Sequence, residues 1–331
     1  MKKLIFLLYI AVLTNSCTNT QKSDSGTERH MHVPKRAMYH WKNTLAIDHE
    51  TEEFLNRHSV GRLYVRFFDV TLEDPRNGGS PEAMPTATIS IKSLWGVELP
   101  EIVPTIFITP EAIGDIYRKG QTRAIAKKML ERIDHMRSFY DIPMHKVCEV
   151  QLDCDWTSST ENAFFAFCSE VRRQLPDTAC LSSTIRLHQL RRPAPPVDYG
   201  VLMLYNTNNL RDPSVENSIL SVDDVKSYLS WRTRYDLPLD MAYPIFEWDL
   251  WFKDGRFRGI LRDKAQADSL RQAGNHVRHE SANFEEIRQV KRIVEKHIAK
   301  PKHGRSTILY HLDKNDLNRY SDDEIENIFG R

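Results

Sequence analysis

Residues 147–156 read VCEVQLDCDW, and their alternation decides the fold. Val150, Leu152, Cys154 and Trp156 are apolar, while Glu149, Gln151, Asp153 and Asp155 between them are polar. Successive side chains of a strand point to opposite faces, so this strand has one apolar face and one polar face. In a barrel one face meets the surrounding helices and the other meets the lumen. The apolar face belongs against the helices, which sends the polar residues into the lumen, where they need partners or water. Residues 180–188 (CLSSTIRLH) repeat the pattern, with Ile185 and Leu187 on one face and Ser182, Thr184, Arg186 and His188 on the other. As neighbouring strands, the two segments bring Arg186 towards Glu149, Asp153 or Asp155.

Working outward, strand and helix signals alternate without an internal repeat, the pattern of a parallel α/β fold. A first strand is read at 62–70 (RLYVRFFDV), with Arg66 on one face and Asp69 on the other, after an acidic helix around 48–57. Tyr39-His40-Trp41 precedes it, placed to close the barrel or to form part of a sugar platform. A long loop over 73–100 leads to a strand at 104–109 and an amphipathic helix over 110–139, with Pro110 at its start. Ser158 or Ser159 is read as the cap of a helix ending near Gln174. Strands follow at 199–206, carrying Tyr205, and at 239–246, leading through Tyr243 to Glu247 and an excursion that turns at Asp254-Gly255. Ser221 caps the helix between them. A weak strand at 275–279, a helix at 283–299, a last strand at 306–312 and a short helix at 321–329 complete the chain, with His311 and Asp313 sharing one face of the last strand. These elements predict an α/β fold, a single-domain (β/α)8 TIM-type barrel, of a size near the ~250 residues usual for it. An open doubly wound sheet is the alternative, weakened because no glycine fingerprint follows the first strand.

The beginning of the chain reads differently. Lys2 and Lys3 precede the apolar run 4–13, small residues follow, and Cys17 comes directly after Ser16. This is the layout of a signal peptide whose apolar run is too short to span a bilayer. The approach to Cys17 resembles a bacterial lipobox, with Leu13 one place early and Asn15 unusual before Ser16; the resemblance implies lipidation of Cys17. The expected organisation is a signal peptide over 1–16, a lipidated Cys and polar tether over 17–33, and the barrel over 34–331. The expected location is the cell envelope, anchored to a membrane through the N-terminal lipid.

Among 331 residues, 46 Lys and Arg face 45 Asp and Glu, and mean hydropathy is −0.51. Near-neutral charge argues against a nucleic-acid partner, which needs a clustered basic surface. Cys148, Cys154, Cys168 and Cys180 form no C-x-x-C pair, so they read as small core residues rather than zinc ligands. No metal or other cofactor is expected. A metal-dependent hydrolase using Asp153, His188, His311 and Asp313 lacks the H-x-H pair that barrel metalloenzymes often carry on the first strand, and no G-x-S-x-G elbow supports a serine nucleophile.

VQLDCDWT resembles the acid-bearing strand of chitinase-type glycosidases, D-x-x-D-x-D-x-E. Asp153 and Asp155 match the D-x-D step, but Thr157 stands where that family has its general acid. YHW (39–41), RLYVRFFDV, VQLDCDWT, STIRLHQ and AYPIFEW (242–248) together resemble a family of uncharacterised bacterial lipoproteins with a glycosidase-like barrel, which implies fold and location more than a reaction. Asp69, Asp153, Asp155, His188, Glu247, His311 and Asp313 fall at or past the C-terminal strand ends, where barrel enzymes keep their sites. The expected function is hydrolysis of a glycan by two carboxylates. Asp155 and Glu247 are the expected pair, Asp153 tunes Asp155 by like charge, and Asp69, Arg186, His188, Tyr205, Tyr243, His311 and Asp313 bind substrate. The alternative, favoured by Thr157, is a non-catalytic glycan-binding or scaffolding protein.

Overall fold

The computed structural model describes residues 33, 35–74, 79–92, 94, 96–229, 235–261, 263–302 and 304–330. The expected signal peptide and Cys17 lie outside them. Eight parallel strands close into a barrel: Arg36–His40, Val60–Glu73, Glu101–Ile108, Glu149–Asp153, Cys180–Arg186, Tyr199–Met203, Leu239–Pro244 and Thr307–Tyr310. Each pairs with the next, and the last pairs with the first through Arg36↔Thr307 and its neighbours. The (β/α)8 expectation holds, with two changes of membership. Arg36–His40 is a strand, so the 62–70 segment is the second strand rather than the first. The weak strand near 275–279 lies outside the barrel. As His276–Ser281 it pairs antiparallel with Glu247–Lys253, which also pairs with Arg256–Leu261. This three-stranded sheet is the expected excursion. Its hairpin turns at Asp254 (φ 52°) and Gly255 (φ 68°), both left-handed as a two-residue turn of this kind requires.

The lumen and the outer face follow the alternation. Trp156 is fully buried on the outside, stacked on Phe164 at 6.3 Å and edge-on to Phe165 at 5.3 Å, both from helix Glu161–Gln174. The three cysteines Cys154, Cys168 and Cys180 are buried and free, as core residues. Gly200 has no room for a side chain: a Cβ there would sit 2.8 Å from Ile185 and 2.9 Å from Leu239.

Local signals place most helices. Asp48 caps His49–Arg57 through the Thr51 amide, Ser321 forms a capping box with Glu324 before Asp322–Phe329, and Asn283 does the same with Glu286. The expected single helix over 110–139 is two, Pro110–Arg118 and Thr122–Phe139, separated at Gly120 (φ 66°). Neither Ser158 nor Ser159 caps the helix after Asp153; Thr160 holds that position without a side-chain bond.

The lumen floor is a buried ion network. Arg62 donates through Nε and Nη2 to Glu101 Oε2 (both 3.0 Å) and lies 3.5 Å from Glu149 Oε2. Ser182 Oγ donates to Glu149 at 2.5 Å, and the Tyr199 hydroxyl donates to the same carboxylate. Glu149 therefore belongs to the floor, paired with Arg62 rather than Arg186. Gln151, one layer higher, accepts from the Tyr39 hydroxyl at 2.8 Å.

Candidate functional site at the barrel mouth

The mouth is built from the upper ends of these strands. Asp153 is 1% exposed, accepts from Thr184 Oγ1 at 2.6 Å and lies 3.7 Å from Arg186 Nη2. Arg186 Nε donates to Asp155, whose side chain is 49% exposed. Burial pushes the Asp153 carboxyl above its ordinary range, opposed by Arg186 and assisted by the charge of Asp155. The like-charge push expected on Asp155 thus appears on Asp153, because Asp153 is the member that has lost its water.

Arg66 and Asp69 were read on opposite faces, yet they form an ion pair, with Arg66 Nε donating to Asp69 Oδ1 at 2.6 Å. The reason is a bulge. Arg66 pairs with Thr105, but Phe68 pairs with Ile106, so one extra residue reverses the alternation between them. Both side chains then meet at the mouth, and Asp69 adds its charge to the field at Asp153.

Aromatic rings complete the site. Tyr310 touches Trp41 (6.1 Å between centroids), Tyr205 (4.7 Å) and Phe246 (5.4 Å), and Phe246 reaches Trp248 at 5.1 Å. The Arg66 guanidinium lies 5.3 Å over Trp41. The Tyr205 hydroxyl is buried and has no hydrogen-bond partner among the described residues. Tyr205, expected among the substrate-binding residues, lies in this ring cluster. Trp248 joins the ring cluster from beyond the barrel strand, which ends at Pro244, so the alternation of that strand does not govern its direction. Tyr310 was not singled out.

Other expected site residues lie elsewhere. Tyr243 is buried on the outer face, beside the charges of Arg305 and Glu295; it is out of phase with Asp240, which faces the floor network. His188 is exposed on the rim, because the strand stops at Arg186 and a 3-10 turn over Leu187–Arg191 carries it outward. Asp313 caps Lys314–Leu317 by accepting from the amides of Asn315 and Asp316, and it pairs with Lys42. His311 points away from the mouth, with Nε2 3.5 Å from Asp316. Asp153, His188, His311 and Asp313 are thus not assembled as metal ligands, and among the described residues no group of three or more His, Cys, Asp or Glu is arranged to hold a metal ion.

Glu247 sits in a different charge cluster from Asp155. It is bound by Arg319 Nε (2.9 Å) and Lys264 Nζ (3.0 Å), with His279 Nε2 at 3.7 Å. Asp316 adjoins this cluster, its carboxyl raised to about 6 by burial, with Glu247 adding to the rise and Arg319 opposing it. Asp316 and Arg319 come from a short charged segment whose sequence carries no periodic signal.

His40, at the end of the first strand, is 4% exposed, and its Nε2 contacts Thr44 O at 3.0 Å. Burial lowers its pKa to about 4. The unfolded ring takes a proton near pH 6.5 and the folded ring only near 4, so the unfolded state binds more protons between them and stability is lost as pH falls. Relative to His40→Gln, the wild type is expected to lose about 3 kcal/mol between pH 7 and 4. Urea titrations of both proteins at several pH values check this; a stability difference that stays flat across the window contradicts it.

No protein-family model matches the chain, and no curated protein sequence does. Solved structures do resemble it. The spore cortex-lytic enzyme SleL of Bacillus megaterium QM B1551 aligns over 89% of this chain and 75% of its own, at 12% identity and a TM-score of 0.52. The GH18 chitinase ChiB from the chitin utilization locus of Flavobacterium johnsoniae aligns over 90% and 94%, at 12% identity and a TM-score of 0.51. The shared fold is a (β/α)8 barrel. At these identities the likeness is one of fold, and the chemistry of the mouth has to be argued from its own residues.

Proposed function

We propose that this glycosidase-type barrel is a glycan-binding protein of the cell envelope, held to a membrane by a lipid on Cys17, and that it binds sugar without cleaving it. The observation that carries the reading is Thr157. It occupies the place of the general acid in the resembled motif, and its hydroxyl is turned to Ser159 Oγ at 2.9 Å in the loop before helix Glu161–Gln174. The carboxylates around it are engaged: Asp155 and Asp153 by Arg186, Asp69 by Arg66, and Glu247 by Arg319 and Lys264. An acid that must deliver a proton and a partner that must attack or activate water need to flank one bond, whereas Asp155 and Glu247 belong to separate ion clusters. What remains at the mouth is suited to binding: a row of rings, balanced ion pairs and a free tyrosine hydroxyl. Aromatic faces and hydrogen-bonding edges are what a pyranose offers and needs.

The names of the two similar structures make chitin oligosaccharides and spore-cortex glycan the first probes. The full chain, purified in detergent, is expected to bind one of them by calorimetry and to release no new reducing ends. A second reading, hydrolysis by Asp155 and Glu247, draws support from Asp153, whose protonated form is favoured beside an ionisable neighbour. Sugar release that Asp155→Asn and Glu247→Gln both abolish, with the fold intact by circular dichroism, establishes that reading and removes the first. Metabolic labelling with a fatty acid, lost in Cys17→Ala, tests the anchor.

A further inference from the structure

We infer that the barrel carries a second carbohydrate-binding cleft on its flank, separate from the mouth, that takes a neutral oligosaccharide. The inference rests on the reading of the mouth as a glycan site for its choice of ligand, though not for its location.

The cleft has a volume of about 550 Å³, within the range of small-molecule sites. One wall is helix His49–Arg57, and the other is formed by helices Lys314–Leu317 and Asp322–Phe329. Ion pairs hold the walls at a fixed separation. Lys314 Nζ reaches Asp48 at 2.8 Å and Glu50 at 2.5 Å, Arg57 reaches Asp322 at 3.5 Å, and Lys42 pairs with Asp313. Each lysine and arginine of the lining is thereby matched to an acid, and Glu53 adds a further acid. No positive charge is left over to select an anion.

The lining nonetheless offers hydrogen bonds of both senses. Asn315 and Asn318 present amides that donate and accept, and the paired carboxylates keep spare lone pairs. Phe54, Leu312 and Leu317 supply apolar surface between them. Mixed polar edges on apolar patches without net cationic character fit a neutral pyranose rather than a phosphate, a nucleotide or an acidic peptide.

The cleft begins one residue from the mouth. Along Tyr39-His40-Trp41-Lys42, Tyr39 and Trp41 join the rings of the mouth, while His40 and Lys42 line the cleft. A polymer crossing the rim at Trp41 can therefore occupy both sites, the mouth holding one stretch and the cleft the next.

The test is calorimetric titration of the full chain in detergent with chitin trisaccharide. Asn318 is exposed on the cleft wall, so Asn318→Trp fills the cleft without touching the core. Asp155→Arg blocks the mouth in the same way. The wild type is expected to bind two trisaccharides, each variant one, with affinity at the altered site falling at least tenfold, and the double variant none. If Asn318→Trp binds as the wild type does while Asp155→Arg abolishes binding, the cleft proposal is overturned and the reading of the mouth stands. If binding is lost in Asn318→Trp alone, the cleft stands and the mouth reading falls. If the wild type takes up no trisaccharide, both fall. Thermal melts of all four proteins identify any variant that is misfolded.

Discussion

Arg62→Met is expected to destabilise the barrel by about 3–5 kcal/mol, the cost of leaving buried charge without its partner. Arg62 is 4% exposed and bridges Glu101 and Glu149 across the lumen floor, with a longer bond to the Val33 carbonyl at 3.4 Å. Methionine fills the space of the stem but takes the guanidinium from two carboxylates, of which Glu101 keeps Lys35 Nζ at 2.5 Å. Glu149 is the worse placed, 3% exposed, and keeps its bonds from Ser182 and Tyr199. The double change Arg62→Met with Glu149→Leu is expected to recover a large part of the loss, since removing both members of a buried pair is often close to neutral. Urea midpoints of the wild type, the single variants and the double variant measure the coupling. A single-variant loss under about 1 kcal/mol means that the network is solvated and contributes as a surface pair would.

On the reading proposed for the mouth, Thr157→Glu is expected to confer slow hydrolysis. A positioned general acid contributes about 10²–10⁴ in rate, and position 157 is the place at which the resembled motif carries it. Thr157 is exposed, so the longer side chain has room, and the loop keeps its backbone bonds from the amides of Thr160 and Glu161 to the Thr157 carbonyl. Reducing ends released from chitin oligosaccharides should rise by that factor over the wild-type background, with binding retained. A variant that binds normally and still releases nothing shows that the missing acid is not what withholds catalysis, and directs attention to the Arg186 clamp on Asp155.

The barrel was legible because its strands carry a strong two-residue period. The alternation over 147–156 assigned Trp156 outward and Asp153 inward, and burial of both agrees. Arg36–His40 was missed because five residues beginning with an arginine offer too little alternation to stand out. The strand near 275–279 was real, but periodicity cannot say which sheet a strand joins. At the mouth, Asp153 and Arg186 lie within their strands and keep the counted parity, whereas Asp69 does not, because the bulge stands between it and Arg66. Residues beyond a strand end could not be placed by counting: His188, His311, Asp313 and Trp248 are positioned by a 3-10 turn, a cap and a new sheet. Asp316 and Arg319 reach the rim by tertiary packing alone, and no spacing announces them. Tyr243 failed for a simpler reason, since the parity of its strand places Asp240 inward and residue 243 outward.

The bulge in Val60–Glu73 has a consequence for how this gene can change length. Up to Arg66 the strand is read in one frame of inward and outward positions, and from Phe68 it is read in the other. The extra residue works as a frameshift written into the protein itself. Loss of Phe67 would close the bulge and leave Arg66, Phe68 and Asp69 in one unbroken alternation, opposite Thr105, Ile106 and Phe107, with Arg66 and Asp69 still on one face. Loss of a regularly paired residue such as Val65 would instead invert the positions on one side of it, and a second residue gained or lost nearby would be needed to put the message back in register. Insertions past Glu73 change no frame, so that loop is the place where this wall of the mouth is free to be rewritten.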